Sequence, residues 1–312
     1  MPSNSDDIYE KLSVGCHAHL SGYRTSYDYI PSKGAGIVFC LLFGITFIAH
    51  IVQFTWKKTW WCSVFAIGSA VEVLGWAGRT WNADCPYNST AFMIQISTLI
   101  IAPVFYTAGI YILLGRLIKI FGPESSVLSP KLYLWIFCTC DVVSLVIQAA
   151  GGGMASSASG GEGDTAPGTN TMVAGIVFQL VSISVFVYFA FDFLRRATRA
   201  GLLSIGKMNS VNYIIFAMII SIVFIYIRSI YRVIELAQGW TGYVMTHEVF
   251  FIILDGVMMV VAVGIFNIFH PGWLLPSESD FMLPKHQSDS HEMEAQRLRS
   301  NESTEYRGYG NH

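Results

Sequence analysis

Seven strongly apolar runs, each about 20 residues long, constrain the fold of this chain more than any other feature. A helix needs about 20 mainly apolar residues to cross the hydrocarbon core of a bilayer. The runs are about twice as long as a barrel strand, and their residues do not alternate in polarity, which favours helices. Charged residues make up 13% of the chain, against about 25% in an average soluble domain. The sequence therefore predicts an all-α polytopic membrane protein, a bundle of seven transmembrane helices.

Polar segments flank the apolar runs at both ends of the chain. Residues 1–33 form an N-terminal tail without the basic and apolar regions of a cleavable signal, so we expect the first span to target the chain. Residues 273–312 are expected to form a disordered cytoplasmic tail, because Ser, Glu and Arg are mixed there with few apolar residues. The membrane domain between them, residues 34–272, has predicted spans at about 34–55, 60–81, 92–114, 132–150, 171–194, 211–230 and 247–269.

Lysine and arginine are unevenly distributed among the connections between spans. The connections after the second, fourth and sixth spans carry none outside the helix ends. Those after the first, third and fifth spans carry Lys57, Lys58, Arg116, Lys119, Lys131, Arg195, Arg196, Arg199 and Lys207. By the positive-inside rule, the N-terminus lies outside and the C-terminus is cytoplasmic. The net charge of −2 is uninformative about acidic partners, and we expect no nucleic acid to bind.

Polar and charged residues interrupt the apolar runs and predict a functional site. An isolated charge at the bilayer centre costs roughly 3 kcal/mol, so these side chains must be paired or hydrated. Helical spacing places Arg228, Arg232 and Glu235 on one face. We expect a polar cavity that opens to the outside and ends near mid-membrane, or else a network of ion pairs that only fixes helix packing. The candidate cavity residues are Glu72, Arg79, Gln95, Asp141, Gln148, Arg228, Arg232, Glu235, Glu248 and Asp255.

Two features of the third and fourth spans bear on helix geometry. Pro103 lies within the third span and has no N–H, so a neighbour must satisfy the carbonyl that it frees. The fourth span runs into GGGMASSASGGEGDTAPGTN, residues 151–170, whose composition predicts a flexible outer linker. No strand precedes these glycines and no Lys-Ser/Thr follows them, so they are not a phosphate-binding loop.

Two cysteines and a sequon fall on the predicted outer side. Asn88-Ser89-Thr90 is an N-glycosylation sequon, and we expect a glycan on Asn88. Of the six cysteines, Cys16 and Cys85 fall on the predicted outer side, where a single disulfide between them is one of the options. Cys138 and Cys140 are two residues apart on a helix and point away from each other, so they do not form a metal pair.

Catalysis is poorly supported by the sequence. The histidines in or near spans are dispersed, and no Gly-x-Ser-x-Gly or His-Glu-x-x-His motif is present. No nucleotide-binding motif or soluble domain supports ATP-driven transport. We therefore expect no enzyme, no catalytic residues, no metal and no cofactor.

Several short motifs occur along the chain, each of them once. They are YIPSKGAGIVFCLLFG, the pair His50 and Gln53, EVLGWAGR, Gln95 with LIIAPVFYTAGIYILLGR, LSP before Lys131, DVVSLVIQAAGGG, IRSIYRVIELAQG, HEVFFIILDG and HPG. From about Tyr29 to Gly272 the chain resembles the fungal lipid-translocating exporter family, seven-span proteins linked with aminocholesterol resistance and sphingoid-base release. Lys131 and Leu236 depart from the Arg and Tyr usual in that family.

The resemblance implies a fungal integral membrane protein with its N-terminus outside, which exports sphingoid bases or related amphiphiles and confers resistance to them. A sphingoid base carries a cationic amine on an alkyl chain, so carboxylates within apolar walls suit it chemically. We expect a lipid or amphiphile as ligand and the plasma membrane as location, and the oligomeric state stays open. The alternatives are a heptahelical receptor or lipid sensor that signals through its cytoplasmic loops and tail, and an enzyme of lipid metabolism or a scaffold.

Overall fold

Seven long helices form the membrane domain in a computed structural model of the chain. The structure describes residues 11–20, 22, 23, 25, 27–122, 125–159, 164–200, 209–239 and 242–276. The helices are α1 Lys33–Lys57, α2 Ser63–Asp84, α3 Ser89–Phe121, α4 Pro130–Ser159, α5 Ala166–Arg199 and α6 Asn209–Ala237. The seventh, α7, comprises an α-helix Glu248–Phe251, a π-helix Ile252–Val257 and an α-helix Met258–Ile268. A short helix, α8 Pro271–Leu274, follows it.

All seven helices are long and apolar enough to cross a membrane, which confirms the predicted all-α seven-span fold. Their outward surfaces are apolar, and Trp56, Trp135 and Phe191 are largely exposed there. The protein is therefore an integral membrane protein whose helices face lipid on the outside of the bundle. The boundaries of the two tails and the orientation in the membrane stay predictions. Residues 277–312, the larger part of the predicted cytoplasmic tail, lie outside the described residues.

Helices adjacent in sequence pack together, and α7 closes the bundle against α1. One closing contact is the side-chain amide of Gln53, which donates to the carbonyl of Asn267 at 2.8 Å. Further along α7, Gly256 lies against two aromatic rings, and a Cβ there would come within 2.7 Å of both Phe39 and Trp76. These rings stack on each other with centroids 4.1 Å apart. Glycine at position 256 thus lets α7 approach α1 and α2 closely.

The prediction of a flexible linker over residues 151–170 is wrong for most of that range. α4 continues to Ser159 and α5 begins at Ala166, so most of residues 151–170 are helical. A Cβ on Gly151 would lie 2.5 Å from the backbone nitrogen of Met172, and one on Gly168 would lie 2.4 Å from that of Ala155. The glycines are therefore used to bring two helix backbones together, as small residues do in membranes.

Because successive helices run in opposite directions, one end of the bundle holds the start of α1, α3, α5 and α7 and the end of α2, α4 and α6. We call this end the N side, since the N-terminal segment packs against it.

Candidate functional site

A disulfide and hydrogen bonds fasten the N-terminal segment to the N side. Cys16 and Cys85 are joined by a disulfide with Cα atoms 4.7 Å apart. The hydroxyl of Tyr87 donates to the carbonyl of Leu20 at 3.1 Å and accepts from the Leu20 N–H at the same distance. The segment is thereby held against the connection between α2 and α3.

Asn88, the residue of the predicted sequon, takes part in the same attachment. Its Oδ1 caps α3 by accepting from the Ala91 N–H, and its Nδ2 donates to the Gly15 carbonyl at 2.7 Å. The side chain is buried. A glycan on Nδ2 would require Asn88 to leave this position, and glycosylation there stays a prediction.

Residues 27–32 of the N-terminal segment lie directly over the predicted site. Tyr27 donates to Oε1 of Gln95 at 2.7 Å, and the hydroxyl of Tyr29 accepts from Nη2 of Arg79 at 2.9 Å. Burial raises the pKa of both tyrosines, although the nearby guanidinium of Arg79 opposes this. Both hydroxyls therefore remain neutral at physiological pH. We call residues 27–32 the N-terminal cover.

Arg79 is the centre of a charged group at the N-side end of α2. Its Nη2 also donates to Oε1 of Glu248 at 2.8 Å, and that oxygen accepts the backbone N–H of Ser32 at 2.7 Å. The guanidinium lies 4.4 Å from the ring centroid of Phe251, in cation–π distance. Arg79 is fully buried, yet its Nε and Nη1 have no hydrogen-bond partner among the described residues.

A second ion pair within α6 borders this group. Nη1 of Arg232 lies 2.5 Å from Oε2 of Glu235, and the hydroxyl of Tyr231 donates to the other carboxylate oxygen at 2.7 Å. The i, i+3 spacing predicted that Arg232 and Glu235 share a helix face, and here they pair with each other. We call Arg79, Arg232, Glu235 and Glu248 the outer group. Its formal charges cancel.

A small cavity lies between the outer group and the N-terminal cover. It holds about 20 Å³, room for roughly one water molecule. The sequence predicted a cavity that opens to the outside. In the structure Tyr27 and Tyr29 lie across the N side of the cavity and close it there. The structure is therefore a closed arrangement of the site. The cavity is lined by Tyr27, Tyr29, Arg79, Gln95, Ile96, Met172, Arg232, Glu235, Leu236, Met245 and Phe251.

Deeper in the bundle, Arg228 of α6 connects two other helices. Its Nε lies 2.8 Å from Oδ1 of Asp255 on α7, an ion pair without hydrogen-bonding alignment, and its Nη2 donates to the Leu99 carbonyl on α3 at 2.5 Å. That carbonyl is four residues before Pro103, which has no N–H to offer it. The prediction that a neighbour satisfies the carbonyl freed by Pro103 is confirmed, and the neighbour is Arg228.

Glu72 of α2 completes this deeper group but makes no hydrogen bond. It is fully buried, and neither carboxyl oxygen has a partner among the described residues. Its electrostatic neighbours are Asp255 and Arg228, and the phenol of Tyr106 also faces it. We call Glu72, Arg228 and Asp255 the inner triad. Two carboxyl groups share one guanidinium there, and that guanidinium is already bound to Asp255 and to a backbone carbonyl.

Asp255 lies in the π-helical turn of α7. Such turns are rare, widen the helix by one residue and often occur at functional sites. Nothing in the sequence indicates this turn, since Ile252–Val257 has, apart from Asp255, the composition of an ordinary span.

Two of the predicted cavity residues lie apart from these groups. Oδ2 of Asp141 accepts from Thr107 at 3.0 Å and from Tyr111 at 3.1 Å. The amide of Gln148 donates to Ser144 at 2.7 Å and to Gln179 at 3.2 Å. Neither side chain lines the cavity. The charged members of the site thus come from α2, α6 and α7, and α4 contributes none of them.

Tyr27, Tyr29 and Tyr231 are site residues that charge-based reasoning missed. Tyr29 precedes Pro31 in a polar tail, where nothing in the composition distinguishes a covering residue from a solvated one. Tyr231 lies four residues before Glu235, a helical spacing that could have identified it.

Comparison with known proteins finds one matching family model and several similar proteins of yeast. A family model described as RTA1 like protein matches residues 65–278. The chain is similar to the sphingoid long-chain base transporter RSB1 of Saccharomyces cerevisiae, with 34% identity over 80% of this chain and 74% of that protein. It is also similar to protein RTM1 of the same organism, at 28% identity over 77% of this chain and 89% of the relative. A third relative, the yeast protoporphyrin uptake protein 1, is 28% identical over 78% of this chain and 90% of its own length. No solved structure matches.

Proposed function

Because the chain belongs to the RTA1-like protein family, we propose that it is a transporter, not an enzyme, that exports sphingoid long-chain bases across the membrane. The ligand carries an ammonium group, hydroxyls and an alkyl chain. We further propose the fungal plasma membrane as its location, with the N side outside. The disulfide between Cys16 and Cys85 supports that orientation, since disulfides persist in oxidising compartments.

One observation carries the choice of a cationic substrate: the buried carboxyl of Glu72 has no donor. An ammonium group supplies N–H donors and a second positive charge, whereas the inner triad has one cation for two carboxyl groups. Binding there would give the triad a second cation for its second carboxylate. A neutral or anionic head group would leave the triad without a second cation.

The outer group offers a second position on the way out. Glu72 and Arg79 are seven residues apart on α2, which is about 10 Å along the helix and on one face. The unpartnered Nε and Nη1 of Arg79 can donate to hydroxyl oxygens of the head group. Since adjacent head-group atoms cannot span that distance, the two positions would be occupied in turn. Passage to the outside then requires the N-terminal cover to move.

The test is movement of a labelled sphingoid base across liposomes that contain only the purified protein. We expect wild type to move the base and Glu72→Gln, which keeps the shape of the side chain, to slow it at least tenfold. Asp141→Asn is the matched control, because it removes another buried carboxylate that lies outside the site. Protein that binds the base without moving it would instead favour a sensor, and equal slowing in both variants would remove the role of Glu72.

A further inference from the structure

The inner triad has one carboxylate more than it has cations. From α7, Asp255 faces Arg228 at 2.8 Å. From α6, Arg228 gives its remaining contact to the Leu99 carbonyl. Glu72 is left with two oxygens and no donor, at zero exposure.

The other surroundings of Glu72 do not balance its charge. From α3, Tyr106 presents a neutral phenol, which donates to Ser69 at 3.4 Å. From α1, the thiol of Cys40 donates to the carbonyl of Val73 at 3.8 Å. On α2 itself, the indole N–H of Trp76 interacts with the Glu72 carboxyl without reaching hydrogen-bonding geometry, and it is a neutral donor that brings no positive charge. The one charge of opposite sign near Glu72 among the described residues is therefore Arg228, which Asp255 already holds.

A buried, unpaired carboxylate is far less stable than its protonated form. In the closed, ligand-free arrangement Glu72 must therefore carry a proton. A bound ammonium group reverses this preference, because it supplies the missing opposite charge and the missing donors. The proton and the ammonium group stabilise opposite ionisation states of the same carboxyl.

We propose that the inner triad exchanges one proton for one cationic amine, with Glu72 as the proton-binding residue. The O–H bond of the Glu72 carboxyl breaks, its electron pair stays on the carboxylate, the proton passes to water, and the ammonium group takes its place. The total charge of the triad is the same in both states. The identity of the cation rests on the proposed function, whereas the exchange rests on the triad alone.

The exchange makes transport proton-coupled. Release of the amine on the outside leaves Glu72 ionised and unpaired, so it takes up a proton there before the site returns. A proton therefore moves inwards for each amine that moves outwards, and a proton gradient directed into the cell drives export.

The experiment measures protons released when a permanent cation binds. The probe is an N,N,N-trimethylated sphingoid base, whose nitrogen has no proton to lose, added to purified protein in weakly buffered detergent micelles near neutral pH. Bound base is counted with a radiolabel and released protons with an indicator dye. We expect about one proton per bound base in wild type, because linkage equates release with the change in protons held by the protein. The ratio should fall as the pH is raised, since Glu72 then loses its proton before the base binds.

Two variants and one control complete the test. Glu72→Gln should release no proton, and Asp141→Asn should release as many as wild type. Asp255→Asn provides a second variant, in which Arg228 is free to pair with Glu72, so release should again be lost. Wild type that binds the base without releasing a proton, or release that persists in Glu72→Gln, would overturn the exchange and leave the proposed function standing. Absence of binding of both the trimethylated base and the unmethylated base to wild type would overturn both.

Discussion

Glu72 and Asp141 are both fully buried carboxyl groups of membrane-spanning helices, but their surroundings differ. Asp141 accepts hydrogen bonds from the hydroxyls of Thr107 and Tyr111. Glu72 accepts none and shares its one nearby cation with Asp255. Neutral donors reach Oδ2 of Asp141, although its Oδ1 has no hydrogen-bond partner among the described residues, whereas neither oxygen of Glu72 has one. Burial of a charge alone therefore does not identify a ligand site, and the missing partner does.

Removal of the cation of the inner triad should produce the largest effect. Arg228→Met leaves the Asp255 carboxylate without its cation and the Leu99 carbonyl without its donor, and we expect a loss of about 3–5 kcal/mol of stability. Thermal unfolding of the purified protein in detergent measures it. Adding Asp255→Leu should recover part of the loss, because the uncompensated charge is then gone. An Arg228→Met protein as stable as wild type would mean that the triad is not ionised.

The close approach of α7 beside Asp255 can be tested through Gly256, the next residue. Gly256→Ala places a methyl group within 2.7 Å of Phe39 and Trp76, and overpacking of this kind costs about 1–3 kcal/mol. Gly264→Ala on the same helix is the matched control, since nothing lies within 4 Å of a Cβ there. It should be neutral or slightly stabilising. Equal thermal stability of the two variants would contradict the close approach of α7 at the site.

The N-terminal cover should contribute a smaller amount. Tyr29→Phe removes the hydroxyl that accepts from Arg79, and a hydrogen bond to a charged group contributes about 1.5 kcal/mol at the lower end of its range. We expect the lower end because the guanidinium keeps its bond to Glu248. Tyr243→Phe, on the exposed surface of the N side, should change the unfolding temperature far less. An equal loss of stability in Tyr243→Phe would mean that removing any tyrosine hydroxyl has this effect, and that the contact between Tyr29 and Arg79 does not explain it.

The smallest effect is expected at Asp141, whose Oδ2 accepts two hydrogen bonds from neutral hydroxyls. Asp141→Asn keeps a carbonyl oxygen that accepts from Thr107 and Tyr111, so stability should change by no more than about 1 kcal/mol. Transport in liposomes should stay within about twofold of wild type by the same argument. A tenfold slowing at unchanged stability would place Asp141 in the path and break the contrast between the two carboxyl groups.

Local chemistry made much of the fold predictable. Seven apolar runs required seven helices, because only helices and closed barrels satisfy the backbone within a bilayer, and the runs are too long and too uniformly apolar for barrel strands. Pro103 required a donor for the carbonyl of residue 99, although only the structure identifies it as Arg228. The glycines of residues 151–170 misled the prediction, since glycine permits both a flexible linker and close helix contact. The neighbours of Gly168 decide which applies, and they are distant in sequence.

The candidate site was less predictable because pairing depends on which helices meet. The depth of Arg228 and Asp255 suggested that they have partners, but their contact joins two helices. The sequence could not distinguish Asp141 from Glu72, which is at a similar depth, because the hydroxyls that donate to Asp141 come from another helix, α3. The N-terminal cover was missed for a related reason: Tyr29 reaches Arg79 across 50 residues of sequence.

The most direct test of the account compares binding of a sphingoid base with binding of its N-acylated, neutral counterpart to wild type and to Glu72→Gln. If the inner triad is a site for a cation, wild type should prefer the amine by at least tenfold in Kd, a difference of about 1.4 kcal/mol. Glu72→Gln, checked to be folded by its unfolding temperature, should bind both ligands with similar affinity. An unchanged preference for the amine in Glu72→Gln would contradict the account, because the cation would then be recognised elsewhere.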